Sequence, residues 1–364
     1  MVDRGGNFEG VRSCSFLTPV VRDRKVRVDR WIALQAELLR DAVSRGVPAA
    51  TDVLRFANLT PEADDEIDEP RGLGLDTARL AIAKDHWYLD LADALARGQD
   101  QVDTRFEAAA DAIAAGDLDS LRQLLDAEPA LVRMRSPFPH RQTLVHHVAA
   151  NGIEVERQGD SPSNAVDVLR LLIERGADPD AICDSYGGGN GATTLCLLVS
   201  SAGPAAAAVE SALVEELCRS GARVNGIDDD GLPLLTAIRF GYTEAAEALV
   251  RCGARVDNLC FAAALGDLDA VRGCFDADDD LPDDVPSFMR SGAHGSDLDP
   301  DRMLEYALIW AAAHGRRAVV EYLLTKNPDL GVAEPGFDVT ALGAARYFGN
   351  HEIVALLEPA TPRA

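Results

Sequence analysis

Five groups of residues in this 364-residue chain are of types and spacings that could do chemistry. Adjacent His146 and His147 could ligate a metal or act as a general base. His314 and His351 lie far in sequence from any cysteine ligand, and no His-Glu-x-x-His spacing occurs, so no metal is expected. The tract Gly187-Gly-Gly-Asn-Gly-Ala-Thr-Thr194 offers successive backbone N–H groups ahead of a helix, as a phosphate cradle does. It lacks the lysine of a phosphate loop and no strand is predicted before it, so nucleotide binding is not expected. The run Asp276-Ala-Asp-Asp-Asp-Leu-Pro-Asp-Asp284 could hold calcium, yet Leu281 stands where such a loop needs its glycine and Ser287 where it needs its glutamate. The cysteines are seven, an odd number, with no Cys-x-x-Cys pair. Cys196, Cys218, Cys252, Cys260 and Cys274 fall at helical positions suited to a small apolar side chain, so buried thiols are expected. With no Gly-x-Ser-x-Gly elbow and no Cys-His pair, these residues predict no catalytic group, no cofactor and no enzyme.

The elements that carry these residues explain them better. Leu232-Pro-Leu-Leu-Thr-Ala-Ile-Arg-Phe-Gly-Tyr-Thr-Glu-Ala-Ala-Glu-Ala-Leu-Val-Arg-Cys-Gly-Ala-Arg-Val-Asp257 reads as a short helix of small residues, a glycine turn, a second helix, and a glycine that ends it. The turn glycine recurs as Gly116, Gly152, Gly241, Gly266, Gly315 and Gly349, with Ala202 in its place once. Second helices end in Gly176-Ala-Asp-Pro-Asp, Gly221-Ala-Arg-Val-Asn and Gly253-Ala-Arg-Val-Asp. This phrase resembles the ankyrin repeat. The resemblance implies an all-α ankyrin-repeat solenoid of about seven diverged repeats over residues 105–364, because one such unit cannot bury its apolar face alone. It also gives His146 a role: in Thr143-Leu-Val-His146 the ring takes the histidine position of the family phrase Thr-Pro-Leu-His, which implies hydrogen bonds to backbone and threonine that fix the turn. The anchor spacings of 36, 50, 39, 25, 49 and 34 residues depart from the ~33 of an ideal unit. Insertions are therefore placed at 152–165, at the tract from Tyr186 to Gly191, and at 276–301. The last holds nine aspartates against Arg290 and is expected to be mobile.

Residues 1–100 do not read as repeats. Trp31, Leu34, Ala36, Leu38, Leu39, Ala42 and Val43 recur at helical spacing from Val28 to Arg45, and Gly46-Val-Pro stops the run. Further helices are predicted over Ala49 to Phe56 and Leu75 to Ala96, with the acidic stretch Pro61 to Pro70 as a solvated loop between them. This helical N-terminal region is expected to pack on the first repeat and cap its open end. The chain resembles a group of bacterial ankyrin-repeat proteins with a helical N-terminal phrase of the type Ala-x-x-x-Ile-Ala-x-x-x-Gly-Phe-x-x-Trp. Here that phrase is Ala78-Arg-Leu-Ala-Ile-Ala-Lys-Asp-His-Trp-Tyr, with His86-Trp-Tyr where Gly-Phe is expected. The segments Tyr186 to Leu195 and Leu304 to Gly315 are also similar to that group. The resemblance implies a fold and a binding role, and no reaction.

Sixty acidic against 35 basic side chains leave a net charge of −25, which disfavours phosphate backbones and anionic lipid; neither nucleic acid nor membrane is an expected partner. No apolar run reaches the ~18–20 residues of a membrane helix. The start, Met1-Val-Asp-Arg, is unlike a secretory signal, so a cytoplasmic protein is expected, monomer before oligomer. Lysine is confined to Lys25, Lys84 and Lys326, which together with abundant alanine and aspartate suggests a GC-rich bacterial genome.

What remains is a surface. In ankyrin stacks the residues just before the turn glycine, and the turn tips, face the concave side. Arg239, Phe240, His314, Tyr347 and Phe348 hold such positions, with Asp229 and Asp230 at a tip, and these are the candidate partner-binding residues. Phe240 and Phe348 could instead close the core between repeats. The favoured function is a non-catalytic scaffold that binds a protein partner through this concave surface. Two alternatives stay open: an enzyme or small-molecule sensor with its site in the N-terminal helices or the 186–194 loop, and structural self-assembly.

Overall fold

The computed structural model describes residues 16–59, 73–159, 161–187, 191–276, 281 and 298–359. The acidic stretch at 61–70 and most of the 276–301 insertion, including its expected mobility, lie outside these residues. The chain is mostly helical and divides into two compact units, one up to Ala222 and one from Arg223. The sequence division near residue 100 falls inside the first unit.

The first unit opens with four helices: α1 (Val28–Ser44), α2 (Pro48–Phe56), α3 (Leu75–Asp85) and α4 (Leu91–Ala96). α1 forms because Val28, Trp31, Ile32, Ala36, Leu39 and Ala42 fall on one face, and all are buried. Proline at the first position suits α2, where its missing N–H costs nothing. The single helix predicted over Leu75 to Ala96 is broken, since Trp87 takes a left-handed φ of 67° and Asp90 starts α4 by accepting the Asp93 N–H at 2.9 Å. Two short strands, β1 (Lys25–Arg27) and β2 (Gln101–Asp103), pair antiparallel and tuck Val26 and Val102 inward. These elements share one apolar core built on Leu17, Trp31, Ile32, Leu39, Val53, Ile82 and Tyr88. Among the described residues, Phe138 is the one beyond β2 that joins it.

Helix pairs follow. α5 (Thr104–Ala115) and α6 (Leu118–Ala127) meet at Gly116, and Asp117 caps α6 through the Ser120 N–H at 3.0 Å. The next pair joins a 3-10 helix, Leu144–Ala149, to α7 (Ala165–Glu174). After a two-residue hairpin, β3 (Ile182–Cys183) with β4 (Ala192–Thr193), come α8 (Thr194–Leu198), α9 (Ala202–Ala206) and α10 (Glu210–Arg219). His146 sits as its phrase implies: Nδ1 accepts the Thr143 N–H at 3.1 Å and meets Thr143 Oγ1 at 2.9 Å, while Nε2–H donates to Ala181 O at 2.8 Å. Burial holds this ring down at a pKa of about 4, so it stays neutral.

The N-terminal helices do not cover the outer face of α5 and α6 as expected. That face is a shallow groove of about 670 Å3 lined by Arg105, Ala108, Ala112, Ser120, Gln123 and Leu124. They pack instead on the stretch between Phe138 and Arg157, because the 152–165 insertion brings polar partners that an apolar helix face could not supply.

The second unit contains α11 (Leu232–Arg239), α12 (Thr243–Arg251), α13 (Leu259–Leu265), α14 (Leu268–Gly273), α15 (Met303–Ala313), α16 (Arg317–Leu324), α17 (Ala341–Tyr347) and α18 (His351–Leu357). α13 is buried on nearly every side by Leu259, Cys260, Phe261 and three alanines, since small residues let neighbouring helices approach. The turn at Gly241 needs glycine for two reasons: φ is 73°, and a Cβ there would overlap the Phe348 ring. Among the described residues no helix is long and apolar enough to cross a membrane.

Candidate functional site

The sequence-predicted surface lies in the second unit. The end of α11 and the start of its turn present Arg239 and Phe240, and the end of α17 presents Tyr347 and Phe348. Arg239 is mostly covered: its guanidinium pairs with buried Glu334 and lies 5.9 Å from the centre of the Phe337 ring. Phe240 is 40% exposed and meets Phe337 edge to face at 5.3 Å. Tyr347 is 43% exposed and meets Phe348 edge to face at 5.0 Å, and Phe348 in turn rests against Gly241. Four predicted residues thus come together, with Phe337 as a fourth aromatic that the sequence reading missed. His314 adjoins them as a buried ring, its Nδ1 2.6 Å from Thr243 Oγ1 and its Nε2–H donating to Ile238 O at 3.0 Å. Those bonds make it a brace between helices rather than a contact for a partner.

The predicted turn tip is held differently. Asp229 is exposed and bonded to Arg255 at 2.6 Å, a hydrogen bond and charge that lower its pKa. Asp230 is buried and accepts the N–H of Leu232, the first residue of α11, at 3.1 Å.

The first unit holds a cluster that sequence reasoning missed. Arg157, buried, bonds Glu107 at 2.8 Å, Asp111 at 2.8 Å and Glu154 at 3.2 Å. Glu154 also meets His86 Nδ1 at 3.0 Å and His140 Nε2 at 3.2 Å, and His86 Nε2 lies 2.6 Å from the Gln35 side-chain amide. Asp85 accepts the Val155 N–H at 2.9 Å, and Glu156 is buried nearby. Five carboxyl groups therefore surround one permanent cation, and burial cannot keep all five ionised. Burial pushes Asp85 up to about 7, only partly offset by its Val155 bond, and pushes Glu107 up to about 7 against the Arg157 charge. Burial would raise Glu154 too, but the Arg157 charge and the bonds from His140 and His86 outweigh it and hold that carboxyl well below the usual range. Burial also lowers His86 and His147.

The sequence carried a faint signal of this cluster. Glu154-Val-Glu-Arg157 places three charges inside an insertion, and His86-Trp-Tyr interrupts a family phrase. Read singly, each looks like solvent-facing polarity. The enclosed cavity bordering His147 and Arg157 is about 10 Å3, room for one water, while Asp111 also lines the open groove on α5 and α6. Among the described residues no group of His, Cys, Asp and Glu could hold a metal ion. Three of the six described cysteines are buried, and burial pushes the Cys183 thiol up to about 12.

No family model matches the chain. A stretch of 67 residues is 39% identical to the E3 ubiquitin-protein ligase XB3 of Oryza sativa subsp. japonica. That stretch is 18% of this chain and spans only 12% of the rice protein. Among solved structures, the human ASB11 ankyrin repeat domain is similar, at 19% identity and a TM-score of 0.37, over 70% of this chain and 99% of that one.

Proposed function

We propose that the chain is a non-catalytic scaffold, an ankyrin solenoid of about seven diverged repeats, which binds a protein partner through the surface around Phe240 and Tyr347. One observation carries this reading. Two large aromatic side chains, 40% and 43% exposed, stand on rigid helix ends and rest on further aromatics, so their positions are fixed before any partner arrives. The ionisable cluster of the first unit favours a scaffold over an enzyme, since Arg157 is taken up by three carboxylates and the enclosed cavity beside it is only about 10 Å3. The net charge of −25 argues for a protein partner rather than nucleic acid, and the buried cysteines fit a cytoplasmic setting.

The test has two stages. A photo-crosslinking residue at position 347 captures and identifies the partner from the source cell, and titration with the purified partner then compares variants. Replacing Phe240 and Tyr347 by alanine together is expected to weaken binding about 30-fold, or ~2 kcal/mol, with an unchanged Tm. Leu249→Ala, a fully buried position of α12, is the comparison and is expected to destabilise by ~2–5 kcal/mol. Unchanged affinity in the double variant, or affinity that falls only in step with stability, would sink the proposal.

A further inference from the structure

Three consecutive residues of the N-terminal region meet three consecutive residues of the insertion, one to one and in reverse order. Asp85 accepts the Val155 N–H at 2.9 Å, His86 bonds Glu154 at 3.0 Å, and the Trp87 indole N–H donates to Ile153 O at 3.0 Å. Aromatic walls close both sides, with His86 stacked on Phe138 at 3.7 Å and Trp87 edge-on to Tyr186 at 4.9 Å. Two of the three bonds go to main-chain groups, and side-chain pockets flank them. That is how a groove reads a peptide.

Two independent observations point the same way. Among the described residues, α1 to α4 and the β1–β2 pair bury their own apolar core, to which the rest of the unit adds only Phe138. The aromatic contacts at Phe138 and Tyr186 aside, the bonds across this seam are polar, as between elements able to part. Trp87, moreover, has φ 67°, a region that favours glycine and strains a bulky side chain. A strained residue persists where its surroundings over-determine it, and here the surroundings are Ile153, Tyr186 and Phe56.

We propose that Phe138, Ile153–Val155 and Tyr186 form a recognition groove for a helix C-terminus ending in Asp-His-Trp, filled here in cis by the N-terminal helices, which detach and rebind as a unit. The groove is separate from the Phe240 surface and does not depend on that reading.

Hydrogen exchange on the full chain tests the detachment. Amides of 75–88 and of 153–157 are expected to exchange together at least tenfold faster than those of α5 and α6, and Trp87→Ala to raise exchange in both segments about tenfold further while leaving α5 and α6 unchanged. The groove is tested directly in the full chain carrying His86→Ala and Trp87→Ala. A synthetic peptide of residues 75–96 should bind it saturably and restore protection at 153–157, and the same peptide with alanine at both positions should not. Uniform exchange across the first unit in the unaltered chain overturns the proposal, as does equal binding of the two peptides or binding of neither. If the double variant fails to fold, the exchange pattern of the unaltered chain decides alone.

Discussion

Replacing Arg157 by methionine keeps much of the side-chain volume and removes the one permanent cation among Glu107, Asp111 and Glu154. Asp111 is partly exposed and can rehydrate, whereas Glu154 is 2% exposed and cannot. Without Arg157 the Glu154 carboxyl escapes by taking up a proton. In the unfolded chain it titrates near 4.5, so holding it neutral in the fold costs about 1.36 kcal/mol for each pH unit above that value, or about 3.4 kcal/mol at pH 7 and about 1.4 kcal/mol at pH 5.5. The sign follows from proton uptake: a carboxyl raised in the fold binds a proton that the unfolded chain does not, so stability is present below 4.5 and lost as pH rises. The upper figure lies within the ~3–5 kcal/mol typical of breaking a buried pair from one side. Urea unfolding at the two pH values, followed by Trp31 and Trp87 fluorescence in a Trp310→Phe background, confines the signal to the first unit. A loss under ~1 kcal/mol at pH 7, or one that does not change between pH 5.5 and 7, would refute the reasoning and mean that the cluster is far wetter than its burial indicates.

Other consequences are simpler to measure. His146→Leu strips the Thr143 N–H of its acceptor and Ala181 O of its donor inside the fold, and chemical denaturation should show a loss of ~1–3 kcal/mol; a neutral result would mean that the bonds bring no net gain over water. Gly241→Ala combines a left-handed φ with overlap on Phe348, so its Tm should fall by several degrees while Gly253→Ala, which has open space around it, falls less. Thiol alkylation at pH 8 mapped by mass spectrometry should label half-exposed Cys218 and Cys252 in the folded chain and leave Cys183 and Cys260, both raised by burial, unlabelled until urea is added.

Much of the helix-pair pattern was legible because each signal was local. The turn glycines of six pairs, Gly116, Gly152, Gly241, Gly266, Gly315 and Gly349, all have positive φ, and the helix from Val28 ends one residue before the predicted Arg45. Sequence spacing alone reports such positions because a turn needs only its own residues. The break at Trp87 was not legible, since tryptophan is the wrong residue for a left-handed cap and is held there by Ile153 and Tyr186, 66 and 99 positions away. Phe337 was missed for the same reason: its loop lies ahead of the last predicted phrase, and only the fold brings it to Phe240 and Arg239.

The charged cluster shows why composition misleads in the first unit. Glutamate, aspartate and arginine at 107, 111, 154 and 157 would each be assigned to solvent by residue type, and an isolated one would be. Glu107, Glu154 and Arg157, buried together, are mutually obligatory, since removing one partner strands the others in a low dielectric. An apolar patch in their place could have held the N-terminal helices as firmly, but it would accept many apolar surfaces. Glu154 discriminates, because a competing helix end without a donor at the His86 position removes one of the two imidazole bonds to its Oε1 and leaves only that of His140. Glu154→Gln combined with Arg157→Met, which removes both charges and nearly preserves shape, separates the two roles. It is expected to recover most of the stability lost in Arg157→Met alone, yet to bind the 75–96 peptide and its alanine control with affinities less than threefold apart when the chain also carries His86→Ala and Trp87→Ala. Retained discrimination in that background would show that Phe138 and Tyr186, and not the carboxylate, read the sequence.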